Sequence, residues 1–389
     1  MKQKLLRITT VPLSLFSLLK GQLRFMSEHY EVKGISSDGD LRSEVERYEG
    51  VSIIPIEMTR TISPIKDLKS VWLLYKLFKK EKPLIVHTHT PKAGTVGMLA
   101  AKLAGVPHRL HTIAGLPLLE VRGNKRRLLD VVEKATYACA TNIYPNSKGL
   151  YDIILESNYA KADKLKVIGQ GSSNGIDTSH FDPESYSIEE KQKVRLKHQM
   201  NEDDFVFVFV GRLVKDKGIN ELLEAFQKLS QRGKQIKLLL VGFLETELDP
   251  LSSISLGILE TNKNIAFVGF QKDVRPYFAA ADALVFPSYR EGFPNVVMQA
   301  GAMGLPSIVS DINGCNEIII DGENGIIIPP KNIDALYNAM LRFVEDNELL
   351  SKLKINARRM IVDRYEQQVV WGALLAEYKR LEENVQKRN

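Results

Sequence analysis

Cysteine is almost absent from this chain. Cys139 and Cys315 are the only two cysteines among 389 residues, and neither belongs to a CxxC or Cys/His pattern. The sequence therefore indicates neither a disulfide framework nor a structural zinc site. This cysteine usage fits a reducing cytosol, so we expect a cytoplasmic protein.

Long hydrophobic runs and glycine-rich nucleotide loops are missing as well. No apolar run approaches the roughly 18 residues that a membrane span needs, and residues 1–10 are too interrupted by charge for a signal peptide. A GxGxxG pattern is absent after the first strand of either predicted domain, and GxxxxGKS or GxxxxGKT is absent throughout. A dinucleotide-dependent dehydrogenase and a P-loop NTPase therefore both lack their signature.

Positive charge is plentiful and unevenly distributed. The net charge is +6, yet residues 1–180 contain 27 Lys and Arg against 17 Asp and Glu, whereas the remainder contains 26 against 30. No helix-turn-helix, zinc-finger or RNP-type signature accompanies the basic half, so the sequence indicates no nucleic-acid partner. For that half we expect an anionic membrane face or a phosphorylated ligand.

Short apolar runs alternate with amphipathic stretches through most of the chain. The alternation predicts an α/β protein with two doubly wound, Rossmann-like parallel-sheet domains that face each other across a cleft. We place the first domain at residues 1–180, the second at 181–365, and at 366–389 a terminal helix that returns to the first domain. One stripe with helical spacing comprises Leu68, Val71, Trp72, Tyr75 and Phe78, which predicts an amphipathic helix.

The stretch GRLVKDKGI, residues 211–219, places two cations in a turn after an apolar strand. Arg212 and Lys217 lie between Gly211 and Gly218, where a strand ends and a helix begins. Guanidinium groups pair with phosphate oxygens, and the amides of a helix N-terminus add a favourable dipole. The turn is suited to a diphosphate, although a solvated turn would show the same residues.

A second predicted strand end, within residues 287–310, adds an acidic group. The strand DALVF is followed by a loop with Glu291, and a helix begins at Asn295. A carboxylate in such a loop accepts hydrogen bonds from sugar hydroxyls, while the helix N-terminus faces phosphate. In isolation, a solvated loop would explain Glu291 better.

The chain resembles retaining glycosyltransferases of family 4, which have the GT-B fold, in four motifs: GRLVKDKGI, VGFQKDV, PSYREGFPNVVMQAGAMGLPSIVSD and NGIDTSHF. Two further stretches, TTVPLSLFSLLKGQ and HTHTPKAG, look like the branch that builds capsule, O-antigen or related polysaccharides on a polyprenyl diphosphate carrier. The resemblance covers nearly the whole chain. It implies a metal-independent hexosyltransferase without a cofactor, whose co-substrate is a UDP-hexose or UDP-N-acetylhexosamine.

The resemblance also implies a role for each matching residue. Arg212 and Lys217 would hold the donor's diphosphate and stabilise the leaving nucleotide. Glu291 matches the first Glu of the family's EX7E motif and would bind donor-sugar hydroxyls. The other donor-side residues are Gly211 in the phosphate turn, Gly269 and Phe270 beside the base, and Gly292, Phe293, Pro294, Asn295 and Val296 near the sugar and phosphates.

Two positions depart from the family pattern. The second Glu of EX7E, which the family uses for the ribose hydroxyls, is Gln299 here, and its amide accepts a hydrogen bond without carrying charge. Ala114 stands where the family has a histidine, and the nearest candidate for its role is His111. Without that histidine, the reaction would be a same-face displacement in which the donor phosphate itself receives the proton of the acceptor hydroxyl.

The acceptor side is defined by fewer residues. Ser14, His89 and Lys92 are the candidates, and His87 alternates with His89, so the two histidines share one face of a strand end. A zinc pair would need a third ligand that the sequence does not show, and the family uses none. Ordinary strand-end polarity explains the two histidines equally well.

A lipid diphosphate acceptor at the inner membrane face would explain two further features. One is an apolar stripe with two nearby cations, and the other is a basic cluster. The stripe comprises Leu15, Leu18, Leu19 and Phe25 with Lys20 and Arg24, and the cluster comprises Arg122, Lys125, Arg126 and Arg127. A core helix and a solvated face are the respective alternatives.

Together with these features, the resemblance implies a peripheral membrane glycosyltransferase that moves a sugar from a nucleotide-sugar to a lipid-linked saccharide. One alternative is a UDP-sugar epimerase on the same scaffold, which would need acid and base groups at the sugar. A glycosidase would need a second carboxylate beside Glu291. A non-catalytic sugar-nucleotide-binding protein is disfavoured by the set of Arg212, Lys217 and Glu291.

Overall fold

The structure, a computed structural model, describes residues 2–59, 61, 63–116, 118, 121–232 and 235–386. The chain divides into two compact units. Unit 1 comprises Met1–Gly175 together with Gln367–Asn389, and unit 2 comprises Ile176–Glu366. We predicted domain boundaries after residues 180 and 365, whereas the two units of the structure meet after Gly175 and after Glu366. By its contacts, the terminal segment belongs to unit 1.

Unit 1 is built on a parallel sheet with the strand order β3-β2-β1-β4-β5-β6. Its strands are β1 (Lys4–Ile8), β2 (Glu31–Ser36), β3 (Ile53–Pro55), β4 (Ile85–Thr88), β5 (His108–Ile113) and β6 (Asn142–Pro145). Leu5, Leu6 and Ile8 of β1 are fully buried, because a parallel strand between two layers of helices has no side that faces solvent. Such strands appear in the sequence as short continuous apolar runs.

Helices cover both faces of this sheet. They are α1 (Pro12–Leu19), α2 (Gln22–Ser27), α3 (Arg42–Glu49), α4 (Pro64–Glu81), α5 (Pro91–Ala104), α6 (Gly123–Cys139) and α7 (Lys148–Glu156). α5 packs against both α4 and α6, whereas α3 contacts α1 and α2. Leu15 and Leu19 of the stripe on α1 are fully buried in the core, so the core alternative explains this stripe.

The apolar stripe predicted for α4 is only partly buried. Ser70, Leu74 and Phe78 are buried, whereas Leu68 is 67% exposed and Trp72 is 53% exposed. The buried residues follow one another at intervals of four, and Leu68 and Trp72 lie on the opposite side of the helix. Apolar side chains occur on both sides of α4, so their spacing alone did not show which side faces the sheet.

Unit 2 contains a second parallel sheet with the order β12-β11-β10-β7-β8-β9. Its strands are β7 (Phe205–Val210), β8 (Ile236–Val241), β9 (Ile265–Gly269), β10 (Ala283–Phe286), β11 (Ser307–Ser310) and β12 (Gly325–Ile328). Its helices are α8 (Ile188–Lys197), α9 (Ile219–Ser230), α10 (Ser253–Thr261), α11 (Arg275–Ala279), α12 (Asn295–Ala302), α13 (Cys315–Ile318), α14 (Ile333–Glu345) and α15 (Asn347–Tyr365). The strand connections repeat those of unit 1, so both units are doubly wound, as predicted.

The last helix, α16 (Gln367–Gln386), packs against the sheet of unit 1. The hydroxyl of Tyr378 lies 2.6 Å from Nδ1 of His87 in β4. The hydroxyl of Tyr144 in β6 donates to Glu377 at 3.1 Å. None of the helices in the described ranges is long and apolar enough to cross a bilayer.

Candidate functional site

The centre of the unit 2 sheet is a topological switch point. β7 and β10 are neighbours, and the chain continues from β7 to β8 on one side and from β10 to β11 on the other. The loops after such a pair diverge and leave a crevice at the carboxyl ends of the strands, where α/β proteins bind ligands. The GRLVKDKGI turn follows β7 and the Glu291 loop follows β10, so the structure brings these two predicted motifs together.

The turn after β7 contains the two predicted cations. Gly211 leaves the strand with φ 153°, and its amide donates to the carbonyl of Val241 at 2.9 Å. Arg212 is exposed and forms no ion pair with any residue of the described ranges. Gly218 immediately precedes α9 and has φ 69°, and a Cβ at this position would lie 2.1 Å from the carbonyl oxygen of Pro287. Only glycine fits this contact, through which the two loops approach each other.

Lys217 and Glu291 form an ion pair between the two loops. Their side chains are 21% and 16% exposed, respectively. Ser288 donates to Oε1 of Glu291 at 3.0 Å, and the Lys217 ammonium lies 5.6 Å from the ring centroid of Phe286. These contacts fix an ammonium and a carboxylate at the carboxyl edge, while the guanidinium of Arg212 stays open to an anion.

The loop after β10 is held by the side chain of Asn313. Its amide donates to the carbonyl oxygens of Glu291 at 3.1 Å and Gly292 at 2.6 Å. α12 then begins at Asn295, and the first amides of a helix have no acceptor within that helix. The residues from Gly292 to Val296 therefore connect the carboxylate to a helix N-terminus, which favours a bound anion.

Gln299 lies on α12 and is partly exposed. It follows Asn295 by four residues, so both side chains lie on the same face of the helix. A glutamate here would place a negative charge on the helix face that contains Asn295. Glutamine keeps the hydrogen-bonding capacity and removes that charge.

An exposed aromatic pair completes this edge of the sheet. Gly269 ends β9, and Phe270 follows it with 59% of its surface exposed. Its ring stacks on that of Phe243, with centroids 4.6 Å apart and planes at 5°. The prediction missed Phe243, although the sequence Val-Gly-Phe occurs at the carboxyl ends of both neighbouring strands, β8 and β9. A flat exposed pair of this kind is suited to stacking on a planar base.

The acceptor-side candidates of unit 1 lie on separate elements. Ser14 is in α1, where its amide donates to the carbonyl of Val11 at 3.0 Å. Lys92, in the first turn of α5, forms an ion pair of 2.6 Å with Asp67 of α4. His89 follows β4 and is only 5% exposed. No hydrogen bond or ion pair between described residues connects these three candidates directly.

The rings of His87, in β4, and His89, just after that strand, are neighbours, with centroids 4.1 Å apart. Nε2 of His89 accepts a hydrogen bond of 2.9 Å from Nε of the fully buried Arg7, so the neutral ring carries its proton on Nδ1. Burial holds the pKa of both imidazoles well below the usual histidine range. A small pocket beside His89 is also lined by Asn146 and Ser172. Within the described residues, no three His, Cys, Asp or Glu side chains are grouped as metal ligands.

His111 lies on the other face of the sheet, beneath α5. Its Nδ1 is 2.8 Å from the hydroxyl of Thr88, and a Cβ on Gly94 would lie 2.4 Å from its ring. The side chain is 4% exposed, and burial lowers its pKa to about 4. The imidazole is therefore neutral at pH 7 and packed against a helix. This placement gives no support to the catalytic role that we considered for it.

Two family models match the chain. The model for glycosyl transferases group 1 matches residues 190–360, and the glycosyl transferase 4-like domain matches residues 24–171. The chain is 35% identical over 377 residues to the capsular polysaccharide biosynthesis glycosyltransferase CapM of Staphylococcus aureus, covering 97% of each protein. It is 32% identical over 314 residues to the UDP-Gal:alpha-D-GlcNAc-diphosphoundecaprenol alpha-1,3-galactosyltransferase of Escherichia coli, covering 79% of this chain and 78% of that protein.

Solved structures show the same fold at lower sequence identity. A glycosyltransferase from Rickettsia africae superposes with a TM-score of 0.80 at 20% identity, over 98% of this chain and 99% of that chain. The Anabaena protein HepE in complex with UDP gives a TM-score of 0.79 at 18% identity, over 98% of this chain and 100% of that chain. These likenesses extend over almost the whole chain and confirm the predicted GT-B fold class.

Proposed function

The chain belongs to the group 1 glycosyltransferases, and from this premise we propose that it is a retaining enzyme acting on lipid-linked saccharides. In this proposal the donor is a UDP-hexose or a UDP-N-acetylhexosamine. The acceptor is a saccharide on a polyprenyl diphosphate, and the product serves the synthesis of capsule, O-antigen or a related polysaccharide.

The arrangement at the switch point of unit 2 is the observation that carries the proposal. The exposed guanidinium of Arg212 and the paired ammonium of Lys217 lie in one turn, opposite the carboxylate of Glu291 and the start of α12. Cations and helix amides are suited to a diphosphate, and the carboxylate is suited to the hydroxyls of the sugar attached to it.

The relatives support the donor and acceptor classes. The Escherichia coli relative is by its name a galactosyltransferase that uses UDP-galactose and a diphosphoundecaprenol-linked acceptor. A relative in Campylobacter jejuni, 27% identical over 345 residues, is named as an N-acetylgalactosaminyltransferase acting on a diphospho-undecaprenol-linked sugar. Hexose and N-acetylhexosamine therefore both remain within the proposed donor class.

The mechanism that we propose assigns each charged group one task. The bond between the sugar's anomeric carbon and the UDP oxygen breaks while Arg212 and Lys217 stabilise the negative charge that forms on UDP. An acceptor hydroxyl forms the new bond on the same face of the sugar, and its proton passes to the departing phosphate oxygen. Glu291 holds the sugar hydroxyls, and no step uses a metal ion or His111.

We further propose that the enzyme works at the cytoplasmic face of the membrane, where a polyprenyl diphosphate acceptor would be anchored. Unit 2 would bind the donor and unit 1 the acceptor. The excess of Lys and Arg in residues 1–180, 27 against 17 acidic residues, supports placing the acceptor on unit 1, because a lipid diphosphate and the anionic lipids around it are negatively charged.

An acceptor-dependent transfer assay tests the proposal. The full chain is incubated with each UDP-sugar of a panel and with polyprenyl diphosphate-linked saccharides, and both UDP release and the product mass are followed. We expect UDP release to require the acceptor and the acceptor to gain the mass of one sugar. Interconversion of the UDP-sugar without acceptor would instead show an epimerase, and binding without turnover would show a non-catalytic protein.

A further inference from the structure

Unit 1 exposes large apolar side chains on the outer side of one helix layer. On α4, Ile65 is 85% exposed, Leu68 67% and Trp72 53%. On the two following helices, Leu103 is 61% exposed and Val131 64%. Scattered single apolar residues are normal on protein surfaces, but a group on adjacent elements indicates an interaction site.

The helices that contain these side chains are direct neighbours. α5 lies between α4 and α6 and packs against both. Packed helices are spaced about 8–10 Å apart, so side chains on their outer faces form one continuous surface. We call this the α4–α6 surface and define it by Ile65, Leu68, Trp72, Leu103, Leu128 and Val131.

The exposed charged side chains around the α4–α6 surface are all positive. The exposed side chains beside the apolar ones on these helices include Lys66, Lys69, Lys76, Lys102 and Arg127. None of the exposed residues of α4, α5 and α6, all within the described part of the chain, is Asp or Glu. The acidic residues of these helices are less exposed, and several pair with cations.

Two of these acidic residues form ion pairs with cations of unit 1. Asp67 of α4 is held by Lys92 at 2.6 Å, and Asp130 of α6 is held by Arg126 at 2.8 Å. Their charges are compensated within unit 1. The outer side of the helix layer is therefore apolar and basic at the same time.

We propose that the α4–α6 surface docks unit 1 on an anionic phospholipid bilayer. Apolar side chains enter the interfacial region of such a bilayer, and each nearby Lys or Arg gains from the negative surface potential. Tryptophan favours this depth because its ring is amphipathic. Trp72 lies centrally on the exposed side of α4, and the Lys76 ammonium stands 3.6 Å from its ring centroid.

A second copy of the chain fits this surface less well. Self-association would bring the lysines of one copy against those of the other, and like charges across an interface are repulsive. A bilayer with anionic lipids offers apolar depth and opposite charge together. The observed combination therefore favours a membrane over a dimer.

The inference rests on the proposed function in one respect, the benefit of docking. The helices of a parallel α/β unit run opposite to its strands, so the N-terminal ends of α4 and α5 lie at the carboxyl edge of the sheet. Ile65 and Leu68 are at that end of α4, and His89 follows β4 at the same edge. Docking would hold this edge near a diphosphate anchored in the membrane.

Vesicle binding tests the inference. The full chain is sedimented with vesicles of phosphatidylglycerol and phosphatidylcholine, and with vesicles of phosphatidylcholine alone, at low and high salt. We expect binding to the anionic vesicles that weakens with salt, because screening reduces the lipid attraction. The double variant Leu68→Ser with Trp72→Ser should bind about tenfold more weakly, since both apolar anchors are lost.

The matched control is the double variant Ile188→Ser with Ile355→Ser, which removes two apolar side chains of unit 2 that are 70% and 75% exposed. It should bind vesicles like the wild type. Absence of wild-type binding, or equal binding by all three proteins, would overturn the inference. So would an altered oligomeric state of the Leu68/Trp72 variant with unchanged vesicle binding, because the surface would then join copies of the chain.

Activity toward two acceptors separates this inference from the proposed function. With a water-soluble acceptor that has a short lipid chain, the Leu68/Trp72 variant should transfer sugar at the wild-type rate. With the long-chain acceptor in anionic vesicles, it should be about tenfold slower. A wild type that is inactive on both acceptors would instead refute the proposed function, whatever its vesicle binding.

Discussion

At the residue scale, Arg212 differs from the other charged groups of the site. Lys217 is neutralised by Glu291, and Arg290 forms an ion pair with Asp216. The guanidinium of Arg212 is exposed and has no ion-pair partner in the described part of the chain. A cation that contributes no ion pair to the fold is available for a ligand, so activity and stability are separable at this position.

The substitution Arg212→Ala should therefore reduce activity without reducing stability. We expect kcat/KM for the UDP-sugar to fall roughly 100-fold, because one of two groups that stabilise charge on the leaving UDP is lost. The thermal unfolding midpoint should stay unchanged. Lys215→Ala removes an exposed cation of the same turn and serves as the control, with activity close to the wild type. Equal losses in both variants would contradict the assignment of Arg212.

His111 makes the stability of unit 1 depend on pH. Burial lowers its pKa from 6.5 to about 4, so between these values the unfolded chain binds a proton that the folded chain does not. Stability therefore falls as the pH drops from about 6.5 to about 4. The contribution of His111 at pH 5 should be about 2 kcal/mol less favourable than at pH 7.

The variant His111→Asn tests this titration, because an amide can still bond Thr88 but does not titrate. Trp72 and Trp371 are the only tryptophans and both belong to unit 1, so their fluorescence during urea unfolding reports on this unit. The variant should lose about 2 kcal/mol less stability than the wild type between pH 7 and pH 5. Identical losses would mean that His111 is not buried as described.

At the element scale, the loops after β7 and β10 depend on a close backbone contact. Gly218 has φ 69°, and a Cβ on it would lie 2.1 Å from the carbonyl of Pro287. The substitution Gly218→Ala should destabilise unit 2 by about 2 to 4 kcal/mol, from the left-handed backbone and the clash together. Urea unfolding followed by circular dichroism measures the change.

The control for Gly218 is Gly257→Ala within α10. Nothing lies within 4 Å of a Cβ added there, so the change should be neutral or stabilising by up to about 1 kcal/mol. If Gly218→Ala were as well tolerated as Gly257→Ala, the two loops would not approach each other as described.

The exposed pair of Phe243 and Phe270 belongs to the ends of β8 and β9. If it stacks on the base of the donor, Phe243→Ala should weaken UDP binding about tenfold, because stacking contributes roughly 1 to 3 kcal/mol per base. Isothermal titration with UDP measures the affinity. Phe267→Ala removes a partly exposed phenylalanine of β9 outside the stack, and its affinity should match the wild type.

Sequence patterns predicted the strands correctly, but they did not show which side of a helix is buried. Apolar runs predicted the strands because buried parallel strands have no polar side. The pattern of α4 failed to show its buried side, since Leu74 and Phe78 face the core while Leu68 and Trp72 face outward. Phe243 was missed because a single Val-Gly-Phe does not indicate a site. Only the strand order shows that the two copies of this sequence lie on neighbouring strands.

At the scale of the whole molecule, the sequence predicted the fold class, and the donor-binding role of its two unit 2 motifs stays a prediction. The strand alternation and the motifs around Arg212 and Glu291 are local, and the structure places both motifs at adjacent strand ends. The position of His111 beneath α5 was not predictable, because it depends on which face of β5 a helix covers. Whether a histidine such as His111 is buried therefore depends on tertiary packing, which the local sequence does not show.

The stereochemistry of the product tests the central claim most directly, namely that this chain transfers sugar from UDP with retention. Product formed from a UDP-α-sugar and the lipid-linked acceptor is analysed by proton NMR for the coupling between the anomeric and adjacent protons. For galactose, glucose or their N-acetylated forms, we predict the small coupling of an α-linkage. A large coupling, which shows a β-linkage, would contradict the same-face displacement at Arg212, Lys217 and Glu291.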